Sequence, residues 1–390
     1  MQVAAVAFVA LMTAAVLVLT RRWHGQWTGD FQGSGVQKMH LGAPPRVGIL
    51  ALLAALLAGW IILNNHPDAT SQQTAHTLVL MLLASLPVTL LGLADDLCKK
   101  ISPRARLMGA LSAAVLAMAL LGTQINRIDI PGVDMLVAWA PVAAVLTMLM
   151  VSGFTNAINI VDGLNGLASG LSLLMLVATG FVAWQLQDTL LLNLCALLGA
   201  AVLGFMCINF PRGLMFLGDG GAYLIGFLLA QIWILLAIRH PDVSVWFALA
   251  VGAHPTMETI FSIYRRYIKR NRRHISAMTA DRLHLHSLVY RRRTLRLWGA
   301  QGPQRWRANA AASALVIGFA AVPAILATLN PHSALWNMMV VAGYVAAYLL
   351  WFKRLTAKQP SHRAGPSPGA TPSRPTQVAH NTPPARLADR

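Results

Sequence analysis

Charge is scarce in this sequence. Of its 390 residues only 11% are charged, and 13 of these are acidic, whereas a soluble globular domain carries roughly 25%. With 56% hydrophobic residues and a mean hydropathy of +0.57, so large a deficit excludes an ordinary soluble domain. Cysteine is almost absent. Cys98, Cys195 and Cys207 sit in or beside apolar runs, with no disulfide framework and no metal–thiolate spacing. No internal repeat is visible. The apolar runs are continuous, which excludes the alternating pattern of a membrane barrel.

What is present is a series of apolar runs, at 3–19, 47–63, 77–94, 107–121, 135–153, 164–184, 190–209, 222–238, 245–264, 308–329 and 335–352. Runs of this length span a bilayer as helices, whose backbone groups are satisfied internally. The expected fold is an all-α integral membrane protein with about eleven transmembrane helices. The first run is read as a span and not a leader, because Arg21–Arg22 follow it and no small-residue cleavage site is evident. If the 21–46 segment is cytoplasmic, all but two of the 31 Lys and Arg residues, Arg127 and Arg239, fall on the cytoplasmic side. The N-terminus is then outside and the C-terminus inside. The net charge of +18 is thereby a topology signal and no sign of nucleic-acid binding. Residues 1–356 form the expected membrane domain, with a basic cytoplasmic loop at 265–307. The 357–390 tail, rich in Pro, Ser, Thr and Ala, is expected to be disordered.

The few carboxylates are unevenly placed. Asp68, Asp129, Asp134, Asp188 and Asp242 fall in outside loops and read as solvated turn residues. Asp95, Asp96, Asp162, Asp219, Glu258 and Asp281 lie at cytoplasmic span ends, in cytoplasmic loops or, for Glu258, within a span. Carboxylates at bilayer depth cost a few kcal/mol or more and mark functional candidates; helix capping or pairing with nearby Lys and Arg is the plainer alternative. "LLGLADDLCKK" places Asp95 and Asp96 side by side at the end of an apolar run. "NAINIVDGLNGLASG" spaces Asn156, Asn159 and Asp162 by three, one side of a helical turn. "NFPRGLMFLGDGGAYLIGF" sets Asp219 among glycines just ahead of a span, where backbone N–H groups favour anions. Hard oxygen donors on one face suit Mg²⁺ shared with substrate phosphates. Lys99, Lys100, Arg212, Arg265 and Arg266 would complement phosphate charge. The implied chemistry is phosphoryl transfer at the inner membrane surface, to an acceptor that could be a lipid. In "TADRLHLHSLVYRRR" the alternatives are a zinc site, a solvated basic loop, or recognition of a phosphorylated substrate by Arg and His.

Taken together, these clusters resemble the polyprenyl-phosphate N-acetylhexosamine-1-phosphate transferase family, over about residues 40–286. "DDLCK" looks like its DDxxK, "NAINIVDGLNGL" like NxxNxxDGxxGL, "FLGDGGA" like its F-M-G-D-x-G-S, and "DRLHLHS" like the DRxHxHH of the sugar-phosphate branch. "QKMHLGAPPRVG", with His40, is similar to the first-loop motif. The sequence departs from the family at Gly48–Ile49, Ala222 and Ser287, and at Glu258, where the family usually has Asp.

The resemblance implies transfer of N-acetylhexosamine 1-phosphate from a UDP-N-acetylhexosamine to polyprenyl phosphate, with release of UMP. It further implies Mg²⁺, with Mn²⁺ as a substitute, and a bacterial inner-membrane location. Asp219 is then the metal ligand. Asp95, Asp96, Lys99 and Asp162 are the catalytic set. His40, Asn156, Asn159, Asn165, Asn209, Arg265, Asp281, Arg282, His284 and His286 are the substrate-binding set. A homodimer is left open. A cation-coupled transporter and a catalytically inactive scaffold are the rival readings; acids clustered on one face and the absence of paired halves argue against the first, and retention of Asp95, Asp96 and Asp219 against the second.

Overall fold

A computed structural model describes residues 1–29, 43–273, 283–298 and 305–357. His40, Asp281, Arg282 and the 358–390 tail lie outside the described residues. No β-strand occurs among the described residues. The helices run α1 (Gln2–Leu19), α2 (Arg21–Thr28), α3 (Gly48–Asn64), α4 (Ala69–Cys98), α5 (Pro103–Leu121), α6 (Asp134–Val137), α7 (Ala140–Val161), α8 (Leu167–Gln185) and α9 (Thr189–Asn209). They continue with α10 (Gly218–Arg239), α11 (Val245–Val251), α12 (Ala253–Arg273), α13 (Leu285–Val289), a π-helical turn Tyr290–Thr294, α14 (Leu295–Trp298), α15 (Arg305–Leu329) and α16 (Ala334–Thr356). Among the described residues, α1, α4, α5, α7, α8, α9, α10, α15 and α16 are long and apolar enough to cross a membrane. The protein is therefore an all-α, multi-pass membrane protein.

One expected segment differs. The 245–264 run is not one helix but α11 and α12, divided at Gly252; His254, Glu258 and Arg265 make the second part too polar to read as an apolar span. The described residues of the 265–307 region are largely helical. α12 continues to Arg273, and α13, the π-turn and α14 pack side by side with α15.

Helix α10 is the axis of the bundle. It packs against α4, α7 and α3 and is buried along nearly all its length. Helix α4 is bounded by local chemistry. Asp68 caps its start by accepting the Ser71 N–H at 2.7 Å, and Lys99 ends it in the left-handed conformation, φ 53°. Its 30 residues extend about 45 Å, well beyond a hydrocarbon core of about 30 Å. The last turn, with Asp95 and Asp96, therefore lies past the apolar stretch. Ser102 accepts the Ala105 N–H and Pro103 follows it, so the chain turns straight back into α5.

At the other end of the bundle two acids are not the solvated turn residues expected. Asp188 caps α9 through Leu191 N–H, and is buried against Arg239 and His240. Burial raises its carboxyl, but the bonds from Arg239, Leu191 and His240 prevail and hold it below the ordinary range. Asp129 pairs with Arg127 and accepts from Ser244 Oγ and Val245 N–H, each at 2.8 Å.

The α4–α10 crossing is close because glycine faces glycine: a Cβ on Gly92 would lie 2.6 Å from Gly220 Cα. Backbone must move to admit it, at a cost of about 1–3 kcal/mol. Gly92→Ala is expected to lower the thermal midpoint of the purified protein in detergent, while Gly153→Ala, whose Cβ would meet nothing within 4 Å, should not. Equal midpoints for the two variants would contradict this packing.

Candidate active site

The site is built where the C-terminal turn of α4 meets the N-terminus of α10. Asp96 Oδ1 accepts the Asp219 N–H at 2.9 Å and Oδ2 accepts the Gly220 N–H at 3.0 Å. A helix N-terminus leaves its first N–H groups unsatisfied and carries partial positive charge, so a carboxylate there is doubly favoured. Gly218 makes the approach possible. Its φ is +77°, and a Cβ would stand 2.5 Å from Asp96 Oδ2.

Two arginines then tie three carboxylates together. Arg46 Nη2 lies 3.0 Å from Asp219 Oδ1 and 3.3 Å from Asp96 Oδ1. Arg106 Nη1 donates to Asp219 Oδ2 at 2.8 Å and to Asp95 Oδ2 at 3.0 Å, while Asp95 Oδ1 accepts the Ile101 N–H. Asp162, just past α7, lies within electrostatic reach of the same group. Burial pushes its carboxyl up to about 7 against the pull of Arg46, with repulsion from Asp219 and Asp96 adding to the rise. Asn159 faces the Tyr223 phenol, itself near Asp219 and Arg106.

A second group adjoins through the Asp162–Gly163 turn, where a Gly163 Cβ would meet His286 Nε2 at 2.7 Å. His286 is buried, as are Leu285, Ser287 and Tyr290, so this part of the 279–293 stretch is not solvated. Burial holds the His286 imidazole below its ordinary range, although its bond to Glu258 pulls upward. His284 Nδ1 lies 3.0 Å from Glu258 Oε2.

Other expected site residues are engaged locally. Asn165 and Asn209 hold loops: Asn165 donates to Pro211 O at 3.0 Å, and Asn209 accepts the Gly166 N–H at 2.6 Å and donates to Met215 O at 2.7 Å. Asn156 Nδ2 donates to Ser152 O in its own helix. Arg265 lies over the Phe261 and Phe352 rings. Lys99 reaches toward the Gly29 carbonyl at 3.5 Å, and Arg212 lies over Trp306. Cations that do meet the carboxylates are Arg46 and Arg106, which the sequence did not single out. No local signal could have found them, because topology crowds Lys and Arg into the same segments.

Among the described residues no three His, Cys, Asp or Glu side chains enclose a metal by themselves. The donor set nevertheless fits a hard cation. One Arg106 nitrogen touches oxygens of both Asp95 and Asp219, so a positive group already bridges these two carboxylates. Asp96, with both oxygens on backbone N–H groups, is the structural member. Asp96→Asn turns an amide donor toward one of those N–H groups and should cost about 1–3 kcal/mol, whereas Asp95→Asn, at a partly exposed pair, should cost less than about 1 kcal/mol. Chemical denaturation or thermal midpoints in detergent check this; an equal loss in both variants would contradict the division of labour.

Comparison with known proteins places the chain among related sequences. The profile of Glycosyl transferase family 4 matches residues 78–237, which contain Asp95, Asp96, Asp162 and Asp219. The chain is 30% identical over 263 residues to the undecaprenyl-phosphate alpha-N-acetylglucosaminyl 1-phosphate transferase of Yersinia pestis, covering 65% of this chain and 68% of that one. A Bacillus subtilis protein named "Probable undecaprenyl-phosphate N-acetylglucosaminyl 1-phosphate transferase" is 29% identical over 251 residues, covering 64% and 66%. The decaprenyl-phosphate N-acetylglucosaminephosphotransferase of Mycobacterium leprae is 29% identical over 273 residues, covering 64% and 67%. The matched segment spans about two thirds of each relative's length. The chain belongs to the polyprenyl-phosphate N-acetylhexosamine-1-phosphate transferase family.

Proposed function

We propose that this protein transfers N-acetylhexosamine 1-phosphate from a UDP-N-acetylhexosamine, UDP-N-acetylglucosamine or a close relative, to polyprenyl phosphate. UMP leaves, and a lipid-pyrophosphate-sugar that begins a surface glycan is formed. The observation that carries the reading is the meeting of Asp95, Asp96 and Asp219 with Arg46 and Arg106 at one end of the bundle. That end is the cytoplasmic one in this reading, with residues 1–356 as the transferase domain and 357–390 as an appended tail.

The chemistry asks little covalent work of the protein. A polyprenyl phosphate oxygen attacks the sugar-linked phosphorus, and the anhydride to UMP breaks. Both phosphate partners are already largely ionised near neutral pH, so catalysis is positioning and charge stabilisation. Arg46 and Arg106 each divide their hydrogen bonds between two carboxylates. A pyrophosphate entering the cluster offers the same guanidinium groups a matching pair of oxygens. Asp219, assisted by Asp95, would hold Mg²⁺. The chemistry such an ion would supply is neutralisation of pyrophosphate charge and support of the departing UMP. Asp95, more exposed than Asp96, orients the lipid phosphate, and Lys99 attracts it to the surface. Asp162 and Asn159 face the nucleotide-sugar, and Asn165 and Asn209 act by holding the loops that frame it. His40, Asp281 and Arg282 stand in the recognition role that their motifs imply.

The test is release of UMP from a panel of UDP-N-acetylhexosamines by purified protein, with and without polyprenyl phosphate and Mg²⁺. Release should require both additions. Asp219→Asn should keep the fold and lower turnover by about 10²-fold or more, the scale of losing a main electrostatic stabiliser. Release without the lipid, or near-normal turnover by the variant, would contradict the proposal.

A further inference from the structure

Glu258 is the only glutamate in the chain, and it is fully buried. Its two oxygens are surrounded by donors. Oε2 lies 3.0 Å from His284 Nδ1, and Oε1 lies 3.2 Å from the His286 backbone N and 3.3 Å from His286 Nδ1. A third imidazole, His254, sits with Nε2 4.0 Å from Oε1, while its Nδ1 meets the Tyr344 hydroxyl at 2.6 Å. Tyr348 and Arg265 complete the surroundings. A buried carboxylate with no such donors is strongly disfavoured. Here a single side chain holds both histidines of one motif.

The geometry beyond Glu258 gives this a purpose. The His284 and His286 rings are stacked, with centroids 5.4 Å apart and planes 14° from parallel. Parallel rings fastened at Nδ1 to one carboxylate present their Nε2 atoms on the far side. For His286 that side is the Asp162–Gly163 turn, where Nε2 stands 2.7 Å from the place of a Gly163 Cβ. Only a glycine lets the imidazole edge come so near. The partner of one imidazole nitrogen decides which nitrogen carries the proton. With Nδ1–H committed to Glu258, each Nε2 is left as an acceptor, that of His286 beside the turn that carries Asp162.

We propose that Glu258 is a positioning residue of the transfer site: it locks His284 and His286 in the Nδ1–H tautomer and aims both Nε2 acceptors at the donor sugar, where hydroxyl and amide N–H groups are the available hydrogen-bond donors. This rests on the transferase reading above. It makes Glu258 specific in a way that a space-filling core residue is not. Glu258→Gln keeps size and shape but offers one acceptor oxygen and one amide donor. The ring that meets the amide must present a lone pair at Nδ1 and carry its proton on Nε2, so its outward atom changes from acceptor to donor.

The experiment has two arms on full-length protein. In the first, ¹⁵N-histidine-labelled protein in detergent or nanodiscs is examined by NMR, with His284→Asn and His286→Asn spectra assigning the two signals. Both rings should show protonated Nδ1 in the wild type, and Glu258→Gln should convert one of them. A wild-type Nε2–H tautomer at either ring, or unchanged tautomers in Glu258→Gln, would overturn the proposal. In the second, steady-state kinetics are measured against the UDP-sugar and, separately, the lipid phosphate. Glu258→Gln should raise KM for the UDP-sugar and lower kcat/KM by about 10-fold or more, with KM for the lipid phosphate little changed. Glu258→Asp, which keeps the carboxylate, should recover part of that loss at equal folded yield. Parallel loss toward both substrates, or no advantage of Asp over Gln, would reduce Glu258 to a structural role and overturn the inference. UMP release by the unsubstituted protein reports on the transferase reading alone, and the tautomer arm needs no substrate, so the two failures are distinguishable.

Discussion

One carboxylate joins the two halves of the site. Asp96, at the last turn of α4, accepts two N–H groups from the first turn of α10. The bond stands only because Gly218 adopts a left-handed conformation and because Gly92 and Gly220 let the helices nearly touch. Remove the pin and Asp95 and Asp219 no longer face one another across Arg106. Local backbone geometry, helix packing and the chemistry of the site are thus one constraint.

The same constraint explains why Arg46 and Arg106 gather where the three carboxylates meet. Three carboxylates held together repel one another, and in a protein so poor in charge the relief must be local. Arg46 and Arg106 supply it by sharing. An arrangement balanced by exchangeable cationic groups can accept a phosphate-bearing substrate without leaving a buried charge unpaired. A transporter reading needs carboxylates near the bilayer midplane; here Asp95, Asp96, Asp162 and Asp219 lie at helix ends.

Much of this was legible in the sequence. Long apolar runs fixed the helical membrane fold, and Asp95, Asp96, Asp162 and Asp219 stood out because acid is rare and each falls at a run's end. The arginines were not legible. In a chain whose Lys and Arg are concentrated on one side by topology, nothing local separates Arg46 or Arg106 from Lys100 or Arg266. Asp188 was misread because its partners, Arg239 and His240, are about fifty residues away. Glu258 stood out as a departure, but its hold on His284 and His286 depends on a helix break at Gly252 and a re-entry of the chain at 283 that no periodicity reveals. Contacts distant in sequence are where a pattern within one segment gives no signal.

The proposed reaction breaks one phosphoanhydride and makes another. Its equilibrium constant should lie within about a factor of ten of unity, or roughly 1.4 kcal/mol, and one cluster must stabilise the same transition state in both directions. The most direct measurement is to incubate lipid-linked product with radiolabelled UMP and Mg²⁺. The account predicts labelled UDP-sugar, formed at rates that Asp95→Asn reduces equally in the forward and reverse directions. Free sugar phosphate without labelled UDP-sugar, while the forward reaction runs, would contradict it.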